Sequence, residues 1–360
     1  MQPIHLWIRS ESRGTERRAP VVPADVPSLL DAGFEVTVEE SRQRVFSVEE
    51  YAAVGAAIVD EGAWIDAPHH AYIVGIKELP EEPESLRHRH IYFAHAFKGQ
   101  EDARRTLGRF RRGGGRLLDL EYLTGENGHR VVAFGYWAGY VGAALGVLQL
   151  ADALADPLVP MVKHELDADL ERVGKGGVDQ LLALVAGARG RSGRGAQRAL
   201  MTAGVPTTRW DRTETRDLHK QALLGHDLLV NCVVTHTPTT PFVGQADLAL
   251  ERRLRVIADV TCDVTCPTNM LPVNTQITTW QEPVRRLCAD APENGSARLD
   301  IIAIDNLPSL LPREASEGFS ADLTPHLLGL AEEGGPSVPW RAAGRVFDQA
   351  IAKLETPPVQ

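Results

Sequence analysis

The sequence predicts an α/β protein with two doubly wound parallel sheets, and three observations support this fold class. Short apolar runs alternate with helical segments along most of the 360-residue chain, which is typical of parallel strands joined by right-handed crossovers. An uncharged, glycine-striped segment at 131–148 separates an earlier series of such runs from a later one. In the later series, a glycine-rich turn lies between a strand and a helix. We therefore expect one domain at 1–133 together with about 313–360, and a second at 134–312.

Apolar runs place the strands of the first domain, and glycines and polar residues mark the ends of its helices. The predicted strands are 3–9, 34–38, 71–76, 91–94 and 116–120. The predicted helices are 25–32, 47–53 and the amphipathic 100–112. Strands separated by helices at this spacing imply parallel pairing, because antiparallel neighbours need only a short turn.

The segment 131–148 is long enough to raise the alternative of a membrane span, since about 18 apolar residues is the lower limit for crossing a bilayer. Its glycines Gly135, Gly139, Gly142 and Gly146 fall three or four residues apart, on one helical face. Such a face lets another backbone approach closely in soluble cores as well as in membranes. With no second span and no basic flank, a buried helix is the better interpretation.

The second domain continues with the same alternation of elements. Its predicted strands are 180–186, 207–210, 227–232 and 256–260, and its predicted helices are 165–175 and 196–203. A further apolar run, 301–304, ends at Asp305 and turns into a helix. The region 310–354 is also predicted to be helical.

Charge and composition exclude several function classes. A net charge of −10 and a pI near 5.7 argue against nucleic acid and anionic membrane surfaces as partners. The four cysteines neither describe a disulfide scaffold nor match a zinc spacing, so we predict free thiols and no metal. No signal-peptide pattern is visible, and we predict a cytoplasmic location.

Two neighbouring predicted strands end at titratable residues. The run 71–76 is followed by Lys77, and the run 91–94 by His95. Open α/β sheets bind ligands outside the carboxyl ends of their strands, so a lysine and a histidine arriving there together suggest an acid–base pair. Taken singly, each has a structural alternative, a solvated lysine and a hydrogen-bonded loop histidine. Their occurrence together, with Lys98 nearby, favours catalysis.

A dinucleotide site is predicted around the glycine-rich turn at 187–195. Gly187, Gly190 and Gly193 permit a tight turn and a close approach to a pyrophosphate at the N-terminus of the next helix. The following strand stops at Asp211, about where an acidic residue binds the adenine ribose. The spacing G-x-x-G-x-x-G departs from G-x-G-x-x-G, so the flanking strand, helix and acid carry the inference.

The same carboxylate predicts the cofactor. Asp211 would accept the ribose hydroxyls of NAD and repel the 2′-phosphate of NADP. Arg209 and Arg212 flank it and act against that preference. We expect NAD.

Five longer motifs carry a resemblance to a known family: GIKELPE, HIYFAHAFKGQ, LLDLEYL, FGYWAGYVGAALG and IDNLPSLLPREAS. On these, the chain resembles the lysine-forming saccharopine dehydrogenases, within the wider group of alanine dehydrogenases and transhydrogenase N-terminal domains. The likeness covers nearly the whole chain and weakens over about 155–180 and 282–298. It implies two Rossmann-like domains, a C-terminal region that returns to the first domain, an active site in the cleft between the domains, and NAD.

The resemblance also implies a reaction. The family joins or splits a secondary amine through an imine and a hydride transfer to nicotinamide, so that saccharopine gives lysine and 2-oxoglutarate, or the reverse. Lys77 corresponds to the base that deprotonates the secondary amine. His95 corresponds to the group that activates water and releases the product amine.

Three acidic positions of the family are matched by Glu16, Glu78 and Glu121, and these carboxylates would tune the basicity of Lys77. Two structural alternatives stay open for them. Glu78 could be a surface residue, and Glu121 could pair with Arg116.

Substrate and cofactor positions follow from the same resemblance. Saccharopine carries three carboxylates, and arginine forks bind carboxylates bidentately. The positions matched to substrate contacts are Arg18, Lys98, Arg130, Phe134 and Asp263. Without the resemblance, Arg18 would read as a solvated loop residue. The positions matched to cofactor contacts, beside Gly187 and Gly193, are Gln100, Arg130, Gly190, Arg191, Asp211, Thr215, Val260, Asp305, Asn306 and Leu307.

Departures from the family pattern leave the amine substrate open. Arg13 replaces a lysine, and Ser192 replaces a glycine-loop cysteine, so Cys232 has lost its partner. The segment 261–272 reads TCDVTCPTNMLP where the family reads close to S-A-D-x-x-N-P-H-N-P-I-P, and Asn306 replaces a histidine. The alternatives are an opine-type enzyme that joins 2-oxoglutarate to another amine, an alanine-dehydrogenase-like deaminase, and an inactive nucleotide-binding protein. The intact acid–base pair argues against the last.

Overall fold

The computed structural model describes residues 3–97, 101–177, 180–235, 237–288 and 298–355. They fall into two compact units, one formed by the described residues up to Ala133 with those from Ala315 onward, the other by Phe134–Glu314. Within these ranges, no helix is long and apolar enough to cross a membrane. Each unit is a mainly parallel sheet with surrounding helices, so the predicted fold class is confirmed.

Six parallel strands form the sheet of the first unit. In chain order they are β1 (His5–Ile8), β2 (Glu35–Glu39), β3 (Ala57–Val59), β4 (Tyr72–Val74), β5 (Arg89–Tyr92) and β6 (Arg116–Asp119). Their order across the sheet is β3-β2-β1-β4-β5-β6. The order reverses between β1 and β4, so the carboxyl ends of these two strands form the topological switch point, where open α/β sheets bind ligands.

The sheet of the second unit is parallel except at one edge. Its strands are β7 (Ala183–Ala186), β8 (Thr207–Trp210), β9 (Leu228–Asn231), β10 (Val256–Asp259), β11 (Arg285–Cys288) and β12 (Leu299–Ile302). They are ordered β11-β12-β10-β9-β7-β8, and β11 pairs antiparallel with β12. Here the order reverses between β9 and β7, which places the glycine-rich turn after β7 at the switch point.

The helices of the described residues are α1 (Val26–Asp31), α2 (Val48–Ala53), α3 (Glu101–Gly113), α4 (Gly135–Leu150), α5 (Lys163–Lys175), α6 (Arg191–Thr202), α7 (Arg212–Arg216), α8 (Lys220–Leu224), α9 (Pro312–Leu328) and α10 (Val338–Glu355). In the first unit, α10 packs on β6 and α3, with Phe347 5.7 Å from Phe110 between ring centroids. Arg116 of β6 and Asp348 of α10 form an ion pair at 2.5 Å.

The glycine stripe of α4 is used for contact with α6. A Cβ atom added at Gly139 would lie 1.8 Å from the Ser192 carbonyl oxygen, and one at Gly195 would lie 1.9 Å from the Tyr136 carbonyl oxygen. Real Cβ atoms cannot approach so closely, so only glycine permits this helix pair. The uncharged segment is therefore a buried helix of the second unit, as the spacing of its glycines indicates.

Several elements begin earlier in the structure than the sequence predicts, and packing explains two of them, α6 and β5. Helix α6 begins at Arg191, not at 196, because its glycines lie inside the helix where backbone contacts exclude side chains. Their low helix propensity is outweighed by this packing. Strand β5 begins at Arg89, before the apolar run, because His90 is buried although its residue type reads as polar.

Two short strands were not predicted. Strand β3 has three residues, none of them buried, so it shows no apolar run. Strand β11 lies at the edge of its sheet and includes two arginines. Edge strands carry little hydrophobic signal, since only one side is paired and one face is solvated.

Candidate active site

Lys77 lies three residues past the end of β4 and is partly buried. The Glu11 carboxylate accepts the backbone amide of Ile76 at 2.6 Å and that of Lys77 at 3.0 Å. The Arg9 guanidinium donates to the carbonyl oxygen of Lys77 and, at 3.4 Å, to that of Glu78. Arg9 and Glu11 form a buried ion pair at 3.3 Å. This pair holds the backbone on both sides of Lys77.

His95 lies three residues past the end of β5 and is exposed. Its φ of +50° is in the left-handed region, which is uncommon for residues other than glycine. The Asp119 carboxylate, at the end of β6, accepts the amides of Ala94 at 3.3 Å and Glu121 at 2.9 Å. Burial raises the pKa of Asp119 to about 6.

Backbone hydrogen bonds bring the ends of β4 and β5 together. The two strands pair in parallel, and the pairing continues past them: the Gly75 amide donates to Ile91 at 2.9 Å, and the Phe93 amide donates to Ile76 at 3.1 Å. Lys77 and His95 therefore leave the sheet from adjacent strands at the same edge.

His95 and Glu78 also line a pocket of about 400 Å³ within the first unit. Arg105, Arg109 and Glu81 contribute its other charged side chains, and Arg105 pairs with Glu81 at 3.2 Å. Glu78 is exposed. A small polar molecule in this pocket would have direct access to the imidazole.

Arg18 is buried against Glu16. Its Nε donates to Glu16 Oε1 at 2.7 Å and its Nη2 to Oε2 at 2.5 Å, which is the bidentate geometry of a guanidinium fork. The two residues are only 4% and 1% exposed. The alternative of a solvated loop arginine is therefore wrong.

Glu121 pairs with Arg130, and the Arg130 guanidinium lies over the Phe93 ring at 5.8 Å. The alternative pairing of Glu121 with Arg116 is wrong, because Arg116 pairs with Asp348. Two further predicted positions, Lys98 and Gln100, lie outside the described residues.

The glycine-rich turn of the second unit is closely packed. Gly187 follows β7 with φ +78°. A Cβ atom added at Gly193 would lie 2.2 Å from the Gly187 carbonyl oxygen. Gly190 is the N-cap residue of α6. Asp211 follows β8, and its carboxylate accepts the Arg189 amide of the turn at 3.0 Å. The start of α6 and the Asp211 carboxylate are thus both attached to the glycine-rich turn.

The remaining predicted positions of the second unit lie after strands or at helix starts. Asn306 is buried and donates from its side-chain amide to the Ser309 hydroxyl at 3.0 Å, whereas Asp305 is exposed. Phe134 is the N-cap residue of α4, Arg191 is the first residue of α6, Thr215 lies in α7, Val260 and Asp263 follow β10, and Asp305 and Leu307 follow β12.

The turn fits a dinucleotide. Gly187 and Gly193 let the turn pack against backbone atoms of Cys232 and of the turn itself, and the twelve-residue α6 begins directly after this turn, where its first amides can face an anion. Asp211, attached to the same turn through the Arg189 amide, has the chemistry to accept ribose hydroxyls.

Comparison with known proteins shows which family this chain belongs to. The alanine dehydrogenase/PNT N-terminal domain family matches residues 7–141. A saccharopine dehydrogenase (NAD+, L-lysine-forming) of Emericella nidulans is 41% identical over 372 residues, covering 97% of this chain and 98% of the relative. One of Neurospora crassa is 41% identical over 369 residues, covering 98% of each. This chain belongs to the saccharopine dehydrogenase family.

Membership of the saccharopine dehydrogenase family confirms the resemblance seen in the sequence motifs. A solved L-alanine dehydrogenase shares the fold, with a TM-score of 0.68 over 96% of this chain and 94% of its own, at 16% identity. The family-model match over residues 7–141 agrees with the wider group predicted from the motifs, and the solved structure confirms the fold.

The sequence of this saccharopine dehydrogenase family member did not lead us to predict roles for Arg9, Glu11 and Asp119. Their positions offered a signal: Arg9 and Glu11 follow a buried strand, as Lys77 and His95 do, and Asp119 ends one. Single charged residues at such positions read as solvated loop residues, and only the adjacency of β1, β4, β5 and β6 shows what they touch.

Proposed function

We propose that this protein is an NAD-dependent saccharopine dehydrogenase. It cleaves saccharopine oxidatively to lysine and 2-oxoglutarate, or runs the reverse reductive condensation. The observation that carries the proposal is 41% identity to lysine-forming saccharopine dehydrogenases over almost the full length of both chains. The position of Lys77 and His95 on adjacent strand ends supports it.

Lys77 acts first in the oxidative direction. When bound, NAD+ supplies the hydride acceptor. The Lys77 amine takes the proton from the secondary amine nitrogen of saccharopine, and the lone pair left there forms the C=N bond as the hydride leaves the adjacent carbon. The buried Arg9–Glu11 pair keeps the Lys77 backbone in place during this step.

His95 acts on the imine. Its imidazole takes a proton from water as the water oxygen adds to the imine carbon, and it then returns a proton to the leaving lysine nitrogen. The C–N bond breaks, the hydroxyl proton passes back to the His95 imidazole, and the oxygen becomes the keto group of 2-oxoglutarate. Exposure of His95 in the pocket of the first unit gives water access to it.

Arg18, Arg130 and Lys98 are proposed to bind the substrate carboxylates. Two of these cations already have carboxylate partners, Glu16 and Glu121, which fix the guanidinium planes but leave each pair neutral. Lys98 would then supply the net positive charge that an anionic substrate requires. The three cations suit a dicarboxylic keto acid better than a monocarboxylic one.

A second candidate function is the same chemistry on a different amine. Asn306, where the family has a histidine, directs its side chain to Ser309 within its own turn. Together with the altered segment 261–272, this favours a changed amine pocket rather than a changed reaction. The keto-acid half would stay 2-oxoglutarate.

We propose a cytoplasmic location, since all four cysteines are free thiols, which is typical of a reducing compartment. The expected partners are small molecules only, because an acidic chain of net charge −10 repels nucleic acid.

The direct test is product analysis. Saccharopine and NAD+ incubated with the purified protein should give NADH, lysine and 2-oxoglutarate in equal amounts. NADH formation without free lysine would contradict the proposal.

A further inference from the structure

Two buried carboxylates hold the backbone segments that carry Lys77 and His95. We propose that Glu11 and Asp119 are positioning residues for this acid–base pair, each fixing one member through main-chain amides. The inference rests on the proposed function and names residues that act on its site without touching substrate.

Glu11 uses both carboxylate oxygens on the Lys77 segment. Oε1 accepts the Ile76 amide at 2.6 Å, and Oε2 accepts the Lys77 amide at 3.0 Å. Arg9 Nη1 lies 3.3 Å from Oε2, and both side chains are at most 4% exposed. Both oxygens of residue 11 must therefore act as hydrogen-bond acceptors. A glutamine has only one such oxygen, so its NH2 group would face a backbone N–H.

Arg9 completes this arrangement from the other side. It donates to the Lys77 carbonyl, and its guanidinium lies so close to Gly75 that a Cβ atom there would be 2.5 Å from Nε. Gly75, two residues before Lys77, is thus explained by the guanidinium that fills the space of a side chain. Because Arg9 and Glu11 are both enclosed, the segment has little room to shift.

Asp119 holds the His95 segment in a different way. Its Oδ1 accepts the amides of Ala94 and Glu121, and the amide of Ala96 also lowers its pKa. The carboxylate thus holds the amide immediately before His95. Its Oδ2 is buried and has no hydrogen-bond partner among the residues that the structure describes. A neutral asparagine can keep Oδ1 as the acceptor and place its NH2 group at the Oδ2 position.

The backbone of His95 needs such support. A φ of +50° is strained for a non-glycine residue and persists only where surrounding contacts impose it. Such strain concentrates at functional sites. The Asp119 hydrogen bond to the Ala94 amide is one of the contacts that hold this backbone.

The two carboxylates therefore predict opposite results for the same kind of substitution. A misplacement of about 1 Å in a catalytic group costs on the order of 10²-fold in rate. Glu11→Gln should lower kcat at least about tenfold, whereas Asp119→Asn should stay within about threefold of wild type and Asp119→Ala should fall at least about tenfold. The KM for NAD+ should not change, since the nucleotide turn belongs to the other unit.

Asp227→Asn is the matched control. Asp227 is also a buried carboxylate that accepts a backbone amide, that of Leu182 at 2.9 Å, and pairs with Arg253 at 2.8 Å. It precedes β9 in the second unit. It should lower stability as Glu11→Gln does while leaving kcat at the wild-type value. A fall in kcat that tracks stability across all variants would overturn the proposal.

A second readout does not depend on turnover. Lysines methylated with ¹³C-formaldehyde give one NMR signal each, with that of Lys77 assigned through Lys77→Arg, and the ring signals of labelled histidines locate His95 through His95→Gln. Glu11→Gln should move the Lys77 signal only, and Asp119→Ala the His95 signal only. If Glu11→Gln does not fold, Arg9→Lys, which cannot reach both carbonyls, takes its place.

These readouts separate the two proposals. A wild-type protein that does not turn over saccharopine, with both signals moving as expected, would remove the proposed function and leave the positioning role. Wild-type kcat and unmoved signals in Glu11→Gln and Asp119→Ala would remove the positioning role and leave the function.

Discussion

Lys77 is the residue on which the proposed chemistry depends most directly. Lys77→Met removes the amine that takes the substrate proton, so kcat should fall by about 10²-fold or more. The dissociation constant of NAD+ should stay the same, because the nucleotide turn lies in the other unit. Lys175→Met, on the exposed side of α5, is the control and should retain full turnover. Near-wild-type turnover in Lys77→Met would remove the lysine from the mechanism.

Asp211 is the residue that we expect to decide between the two nicotinamide cofactors. Its carboxylate should make kcat/KM higher with NAD+ than with NADP+. Asp211→Asn keeps an acceptor for only one of the two amides that the carboxylate accepts, those of Arg189 and Arg212, and it removes the charge. The NAD+ preference should shrink by about tenfold, the order of one charge–charge contact. The ratio of kcat/KM for the two cofactors measures this. An initial preference for NADP+ would mean that Arg209 and Arg212 define the pocket instead.

At the residue scale, the sequence predicts the positions of Lys77 and His95 better than it predicts the side chains that contact their backbone. Lys77 and His95 follow from one rule, that titratable residues past adjacent strands meet at the same edge. Arg9 and Glu11 obey the same rule but act on the backbone of Lys77, a contact that depends on β1 lying beside β4. Ordering of strands across a sheet is not written in any single segment, so this support was not predictable.

The close contact of α4 with α6 makes a prediction at the scale of elements. Gly195→Ala would put a Cβ atom 1.9 Å from the Tyr136 carbonyl oxygen, and the overpacking should lower the free energy of unfolding by about 3 kcal/mol. Gly108→Ala, inside α3, has only the flexible end of Arg112 at 3.5 Å and should raise stability by about 0.5–1 kcal/mol. Urea unfolding of both variants measures the difference. Equal stability in the two would contradict the helix contact.

Strand β5 carries a buried histidine that makes the fold sensitive to acid. Both ring nitrogens of His90 lack a partner among the described residues, and burial, followed by the charges of Arg9, His88 and Arg109, holds its pKa well below the ordinary value of 6.5. The unfolded chain therefore binds a proton at pH values where the folded chain does not. Stability is fully present above about pH 6.5 and falls below it, by up to about 1.4 kcal/mol per pH unit from this residue.

His90→Leu should remove that contribution. Leucine does not titrate, so the stability of the variant should decline less steeply than that of the wild type between pH 6.5 and 5. Leucine also suits the apolar site formed by Trp64 and Phe110, so the variant should fold. His164→Gln, on the exposed surface of α5, should leave the wild-type slope unchanged. Urea midpoints at several pH values test this, and parallel curves for His90→Leu and wild type would be the contrary result.

At the element scale, apolar periodicity predicts the central strands and most helices, and it fails where burial and residue type disagree. His90 reads as polar but lies in the core, so the start of β5 was missed. The glycines of α6 read as a loop but lie inside a helix. In both cases a tertiary contact, with Phe110 or with the backbone of α4, overrides the local signal.

At the scale of the whole molecule, the proposed function requires an acidic protein to bind an acidic substrate. A net charge of −10 repels an anionic substrate, so the attraction must come from cations at the site itself. The proposed substrate-binding cations that the structure describes, Arg18 and Arg130, are already paired with carboxylates. The substrate should then be recognised by oriented hydrogen bonds more than by long-range attraction. We therefore expect a keto acid with two carboxylates, one for each of the proposed substrate arginines.

The most direct test of the account is a competition between amines in the condensation direction, with NADH and 2-oxoglutarate fixed. We predict that lysine gives the highest kcat/KM among lysine, ornithine, arginine, glycine and N6-substituted lysines, and that a monocarboxylic keto acid cannot replace 2-oxoglutarate. A tenfold advantage for another amine, about 1.4 kcal/mol in transition-state binding, would contradict it and identify an opine-forming relative with a different amine.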